Sequence, residues 1–194
     1  LDHPTGIELP YESTRMVVPD PAWKRQHIGV GWRGGDTANF FICLGYVLVT
    51  PLQMACFAAA CARGVPQIQP TLLHTEDGTA PAELPFVQKA QQLGLTPEQY
   101  QGIIEGLEQT TLRGTGRLSH IPGLRTATKT GTAQVHYGTG AEMTLAWSLQ
   151  FAPIEDPELA LVVMVEGSTP NDGYNGGTTS APIARALLKA YFGL

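Results

Sequence analysis

Apolar residues recur at two different periods along this 194-residue chain. In "VTPLQMACFAAACARG" they follow a helical start signal: Thr50 can cap, Pro51 fits the first position, and Gln53 stands where a capping box wants Glu or Gln. Gly64 stops the pattern, which predicts a buried, Ala-rich helix over residues 51–63. "TPEQYQGIIEGLEQTTL" repeats the signal with Thr96, Pro97 and Gln99. Tyr100, Ile103, Ile104, Leu107 and Thr111 then recur at helical spacing and predict one apolar face.

The last third changes period. "RTATKTGTAQV", "MTLAWSLQFAP" and "ELALVVMVEG" read as three strands between turn signals. Trp147 and Phe151 share a parity on the second of them and read as core. "SAPIARALLKAYFG" closes the chain as a helix, with Ser180 as the expected cap. Residues 1–35, rich in Pro, Gly and Trp, read as an ordered irregular segment with several turns. Residues 66–95 carry a weaker pattern, with one strand or hairpin expected near "PTLLHTEDGTAP". Residues 1–120 therefore form a mostly irregular and helical part, and 121–194 the strands plus a terminal helix. Helices first, then strands, then a helix: the order predicts an α+β domain whose three-stranded antiparallel sheet has flanking helices.

Composition permits a packed core, with 43% apolar and 15% charged residues, and the length suits one domain or a large part of one. The net charge of −5 comes without a basic stripe, which argues against nucleic acid as a partner. The longest apolar run is broken by Pro51 and Gln53 and falls short of a spanning helix. No signal peptide or anchor is visible, and the chain opens on Leu1 rather than Met, as expected of a piece of something longer. Cys43, Cys56 and Cys61 lack metal-ligand spacing and read as small core hydrophobes. No metal or cofactor is implied.

Candidate chemistry centres on "TKTGTAQV", residues 128–135. On a strand, Lys129 and Gly131 face one side and Thr130 and Thr132 the other. Gly131 has no side chain, so a ligand backbone can approach and add to the edge as an extra strand. Lys129 supplies a positive charge and the threonines supply hydroxyl donors, a set suited to a substrate with a carboxylate near its scissile bond. The Thr132 backbone N–H can help stabilise an oxyanion. A Lys-Thr-Gly triplet standing alone reads equally as a strand end with an exposed lysine.

The triplet does not stand alone. "PTGIELPYE", "PDPAWK", "GDTANFFICLGYVLVTPLQMA", "TKTGTAQV", "AWSLQFAP" and "GGTTSAPIARALL" run in order over nearly the whole chain. Together they resemble the C-terminal half of the transpeptidase domain of an elongation-type class B penicillin-binding protein, akin to penicillin-binding protein 2. The Lys-Thr-Gly signature accompanies Ser-x-x-Lys and Ser-x-Asn motifs in these enzymes. The resemblance implies a peptidoglycan D,D-transpeptidase, in which a serine attacks the D-Ala-D-Ala bond of a stem peptide. Lys129, Thr130, Gly131 and Thr132 would then hold the substrate or a β-lactam antibiotic, with Lys129 in the proton network and the Thr132 N–H in the oxyanion hole. It also implies anchorage on the extracytoplasmic side of the inner membrane, through a segment not in this chain, and elongation proteins of the cell wall as possible partners.

The pattern breaks at the nucleophile. Three residues beyond Ser13, Ser119, Ser148, Ser168 and Ser180 stand Met16, Pro122, Phe151, Asn171 and Ile183, none of them a lysine. A serine needs an adjacent base for acyl transfer, and Ser119 and His120 are only neighbours in sequence. The family's serine lies upstream of the matched region, so this chain alone is expected to be inactive. The alternative is a non-catalytic peptidoglycan-binding or scaffold homologue. Cys43 and Leu44 depart from the Gly-Gln usual there. Asp36 is expected to organise its loop, Glu166 to make a structural hydrogen bond, and His136 to be an exposed loop residue near the cleft rim.

One physical consequence concerns folding. In the resembled fold two strands from the N-terminal side complete a five-stranded sheet. Without them "ALVVMV" is an exposed apolar edge, an aggregation liability. The chain is therefore expected to need its own N-terminal half, or a dimer partner, to cover that edge.

Overall fold

The computed structural model describes residues 1, 3–42, 45–73, 84–136, 142–168 and 173–194. Three antiparallel strands, β1 (Ala127–His136), β2 (Glu142–Ala152) and β3 (Leu159–Glu166), form a sheet in the order β1-β2-β3. The α+β class is as expected.

Helices α1 (Pro21–Ile28), α2 (Gly34–Phe41), α3 (Pro51–Arg63), α4 (Phe86–Gln92) and α5 (Pro97–Leu112) precede the sheet, and α6 (Ala181–Phe192) follows it. The two start signals work as read: Thr50 accepts from Gln53 N and Thr96 from Gln99 N, each glutamine side chain accepting in return from the cap's N–H. Gly64 ends α3 at φ +65°, where a Cβ would overlap Lys89, so only glycine fits between α3 and α4.

Alternation along the strands sorts the core into two layers. Ala127, Phe151 and Ala160 point to one face and pack with Ala62, Ala90, Tyr100 and Ile104 of α3, α4 and α5. Ala152, Leu159 and Leu161 point to the other and pack with Ile121, Leu188 and Phe192. Phe151 is core, whereas Trp147 is only half-buried.

Several further expectations need correction. Residues 1–35 are not wholly irregular: Asp20 accepts from Trp23 N and, with Pro21 at the first position, starts α1, while α2 begins at Gly34. The weakly patterned 66–95 region contains α4, anchored by buried Ala90 and by Lys89 Nζ donating to Ala62 O at 3.0 Å. Ile103 is 44% exposed, because the face of α5 that meets the core runs through Tyr100, Ile104 and Thr111. Ser180 occupies the N-cap position of α6 but makes no side-chain cap bond; its hydroxyl donates to Ala146 O at 2.8 Å, and a π-turn at Gly176–Ser180, capped by Asn175, leads into the helix. Residues 70–73 form no strand, and the rest of the expected hairpin lies outside the described residues.

Candidate functional site: the outer edge of β1

β1 is an edge strand, so one side of its backbone has no strand neighbour among the described residues. Lys129 and Gly131 pair across the sheet with Leu149 and Trp147, and Thr130 and Thr132 with Ser148 and Ala146. The two pairs thus face opposite sides, as alternation requires. Lys129 and Thr132 are exposed; Thr130 and Gly131 are half-buried. Lys129 Nζ donates to Thr130 O at 2.7 Å, which lays the charge along the strand.

The threonine face is built from below by hydroxyls. Thr111 Oγ1, at the end of α5, lies 2.7 Å from both Thr126 O and Thr128 Oγ1. Thr111 is the donor toward both, and because it has one proton the carbonyl and the Thr128 hydroxyl share it. Ser119 donates to Gly116 O at 2.7 Å beside them. All three side chains are buried.

Two segments that sequence reasoning missed close on this face. In the loop over residues 113–116, Thr115 Oγ1 lies 2.6 Å from Thr130 Oγ1. A Cβ on Gly116 would meet Thr128 Cγ2 at 2.6 Å, so the loop sits against β1 only because glycine is there. From the other side Gly176 N donates to Thr132 Oγ1 at 3.3 Å. A Cβ on Gly176 would overlap Trp147 O and meet Gly131 O at 2.6 Å. A Cβ on Gly177 would overlap Thr115 O. The signal for both segments was the paired glycines in "RGTG" and "NGG".

Other candidates fall away from this edge. Ser119 is fully buried, and His120 Nδ1 is buried without a hydrogen-bond partner, so the adjacent residues make no nucleophile–base pair. Ser148 accepts from Gln150 Nε2 at 2.9 Å in the core. Asp36 accepts from Lys24 Nζ at 2.5 Å and Arg33 N at 2.7 Å, a loop-organising role. Those bonds, the lysine's first, hold its carboxyl below the usual range. Glu166 is exposed at the end of β3, opposite Leu145. The His136 side chain and Cys43-Leu44 lie outside the described residues. Among the described residues no group of three or more His, Cys, Asp or Glu can hold a metal ion, and no helix is long and apolar enough to cross a membrane.

The cavities lined by Glu108, His120 and Arg125 and by Leu1, Gln53 and Phe57 include none of Lys129 to Thr132.

Comparison with known proteins gives the family of the chain. The family model described as "Penicillin binding protein transpeptidase domain" matches residues 1–189. The peptidoglycan D,D-transpeptidase MrdA of Acinetobacter baumannii is 29% identical over 95% of the chain. The chain spans only 28% of that relative's length. Among solved structures, a complex between penicillin-binding protein 2 and MreC from Helicobacter pylori is 28% identical, with a TM-score of 0.71 over 98% of this chain and 33% of that one. The ceftriaxone acyl-enzyme complex of penicillin-binding protein A from M. tuberculosis is also 28% identical, with a TM-score of 0.60 over 78% of this chain and 34% of that one.

Proposed function

The chain belongs to the penicillin-binding-protein transpeptidase domain family, and from that premise we propose that it is the C-terminal, substrate-binding part of a peptidoglycan D,D-transpeptidase. One observation carries the reading: Lys129 to Thr132 lie on a sheet edge with no strand neighbour among the described residues, in a chain that matches the family over residues 1–189.

The proposed reaction is acyl transfer. A serine Oγ, on a segment of the protein upstream of this one, attacks the D-Ala-D-Ala carbonyl of a stem peptide. D-Ala leaves, and the amine of a neighbouring stem takes the acyl group. Lys129 turns from Thr130 O to the substrate carboxylate and joins the proton network. Thr130 and Thr132 donate hydroxyl hydrogen bonds to that carboxylate. Gly131 leaves the edge open, and the Thr132 N–H contributes to the oxyanion hole, a donor whose loss typically costs about 10²–10³ in rate. β-Lactams acylate the same serine, a reading supported by the ceftriaxone acyl-enzyme complex of penicillin-binding protein A from M. tuberculosis. Residues 1–194 constitute the C-terminal part of one domain, whose N-terminal half covers the outer edge of β3. The anchor lies outside this segment, on a protein working at the outer face of the inner membrane with elongation proteins such as the MreC seen in a relative's complex.

Intact-mass measurement on the full-length protein, with and without a penicillin, tests this. Gain of one penicillin mass supports the transpeptidase. No adduct points to the non-catalytic peptidoglycan-binding homologue.

A further inference from the structure

Thr130 and Thr132 each offer one hydroxyl proton, and a hydroxyl serves an anion only if that proton points at it. The Gly176 N–H can only donate, so its bond to Thr132 Oγ1 occupies a lone pair and leaves the Thr132 proton uncommitted. Thr115 Oγ1 stands 2.6 Å from Thr130 Oγ1, and either can be the donor. An anion at the Thr130 proton selects one direction, in which Thr115 donates to Thr130 and Thr130 donates outward, because hydroxyls in a chain polarise one another.

We propose that Thr115 and the Gly176 amide are positioning groups that fill the accepting side of the two hydroxyls when an anion is bound and so keep both threonine protons aimed outward, the pair forming a two-donor clamp for one carboxylate of the ligand. Residues i and i+2 are about 6.6 Å apart along a strand. The two oxygens of a carboxylate bridge that span with hydrogen bonds of ordinary length. The Gly176 amide reaches Thr132 because the residue has no side chain: a Cβ there would strike the backbone of Gly131 and Trp147. Gly177 fits under Thr115 O for the same reason, so one glycine pair sets the height of both groups over the strand. The inference rests on the proposed transpeptidase reading and adds to it which neighbours give the clamp its polarity.

The test compares acylation rates of the full-length protein by benzylpenicillin and by its neutral methyl ester. Thr115→Val keeps the shape and removes the donor; Thr115→Ser restores it. We expect Thr115→Val to slow acylation by the carboxylate by up to about tenfold, the upper size of one lost neutral hydrogen bond, with the ester rate unchanged and Thr115→Ser close to wild type. Equal slowing of both compounds, or a loss that serine does not rescue, overturns the positioning role and leaves the transpeptidase reading standing. A wild-type protein that neither compound acylates removes that reading and this inference with it.

Discussion

Gly176 lies over Gly131 at backbone contact: a Cβ on Gly176 would meet Gly131 O at 2.6 Å and Gly131 N at 3.0 Å. The two glycines are not equivalent. A Cβ on Gly131 would sit 3.5 Å from Trp147 Cβ, an ordinary contact. Gly176 is closed by protein, whereas Gly131 is open enough to take a side chain. Gly176→Ala is therefore expected to destabilise by about 3 kcal/mol, the upper range for overpacking. Gly131→Ala should stay within about 1 kcal/mol of wild type and instead slow penicillin acylation. Thermal unfolding and acylation rates, measured together on both variants, check this. An equal loss of stability in the two would sink the distinction.

Thr111 joins the end of α5 to β1 through Thr126 O and Thr128 Oγ1. Thr111→Val fills the same volume but leaves a buried carbonyl and hydroxyl without their partner. The expected cost is about 1–3 kcal/mol, seen as a shift of the denaturant midpoint, while Thr111→Ser keeps most of the stability. A neutral Thr111→Val would mean that water replaces the hydroxyl.

Asp36 gives a pH dependence. Lys24 Nζ and then Arg33 N stabilise its carboxylate, so its folded pKa lies below the unfolded value. Its stabilisation is present above about pH 3.9, the usual aspartate value, and is lost as pH falls through the lower folded value. The Tm gap between wild type and Asp36→Asn should close on acidification from pH 5 to pH 2. A gap that stays constant would show that the charge is not what matters.

Cys61 is expected to be inert. Burial pushes its thiol up to about 11 from an ordinary 9.0. The thiolate is the reactive form, so at pH 8 its fraction falls about a hundredfold below that of an open thiol. Alkylation followed by peptide mapping should label Cys61 only after unfolding. Rapid labelling of the native protein would place Cys61 at a surface.

Much of the fold was written locally. Thr50-Pro51 with Gln53, and Thr96-Pro97 with Gln99, start helices because the capping partners sit within one turn, where no distant residue is needed. Alternation around Lys129 fixed which side chains share a face, because a strand has period two whatever surrounds it. The family resemblance and the absence of a Ser-x-x-Lys serine were equally present in the residues themselves.

Tertiary structure decided the rest. Ser180 has the chemistry of a cap, but Ala146 O stands 2.8 Å from its hydroxyl and takes it instead. Ile103 has the spacing of a core residue, yet the sheet meets α5 one residue further round. Thr115 and Thr130 are 15 positions apart, and Gly176 and Thr132 are 44 apart. Nothing in a local pattern says which hydroxyl meets which amide. That is settled only when loops of small residues are pressed against a strand, and the groups left in reach choose their partners by distance and by which of them still has a proton to give.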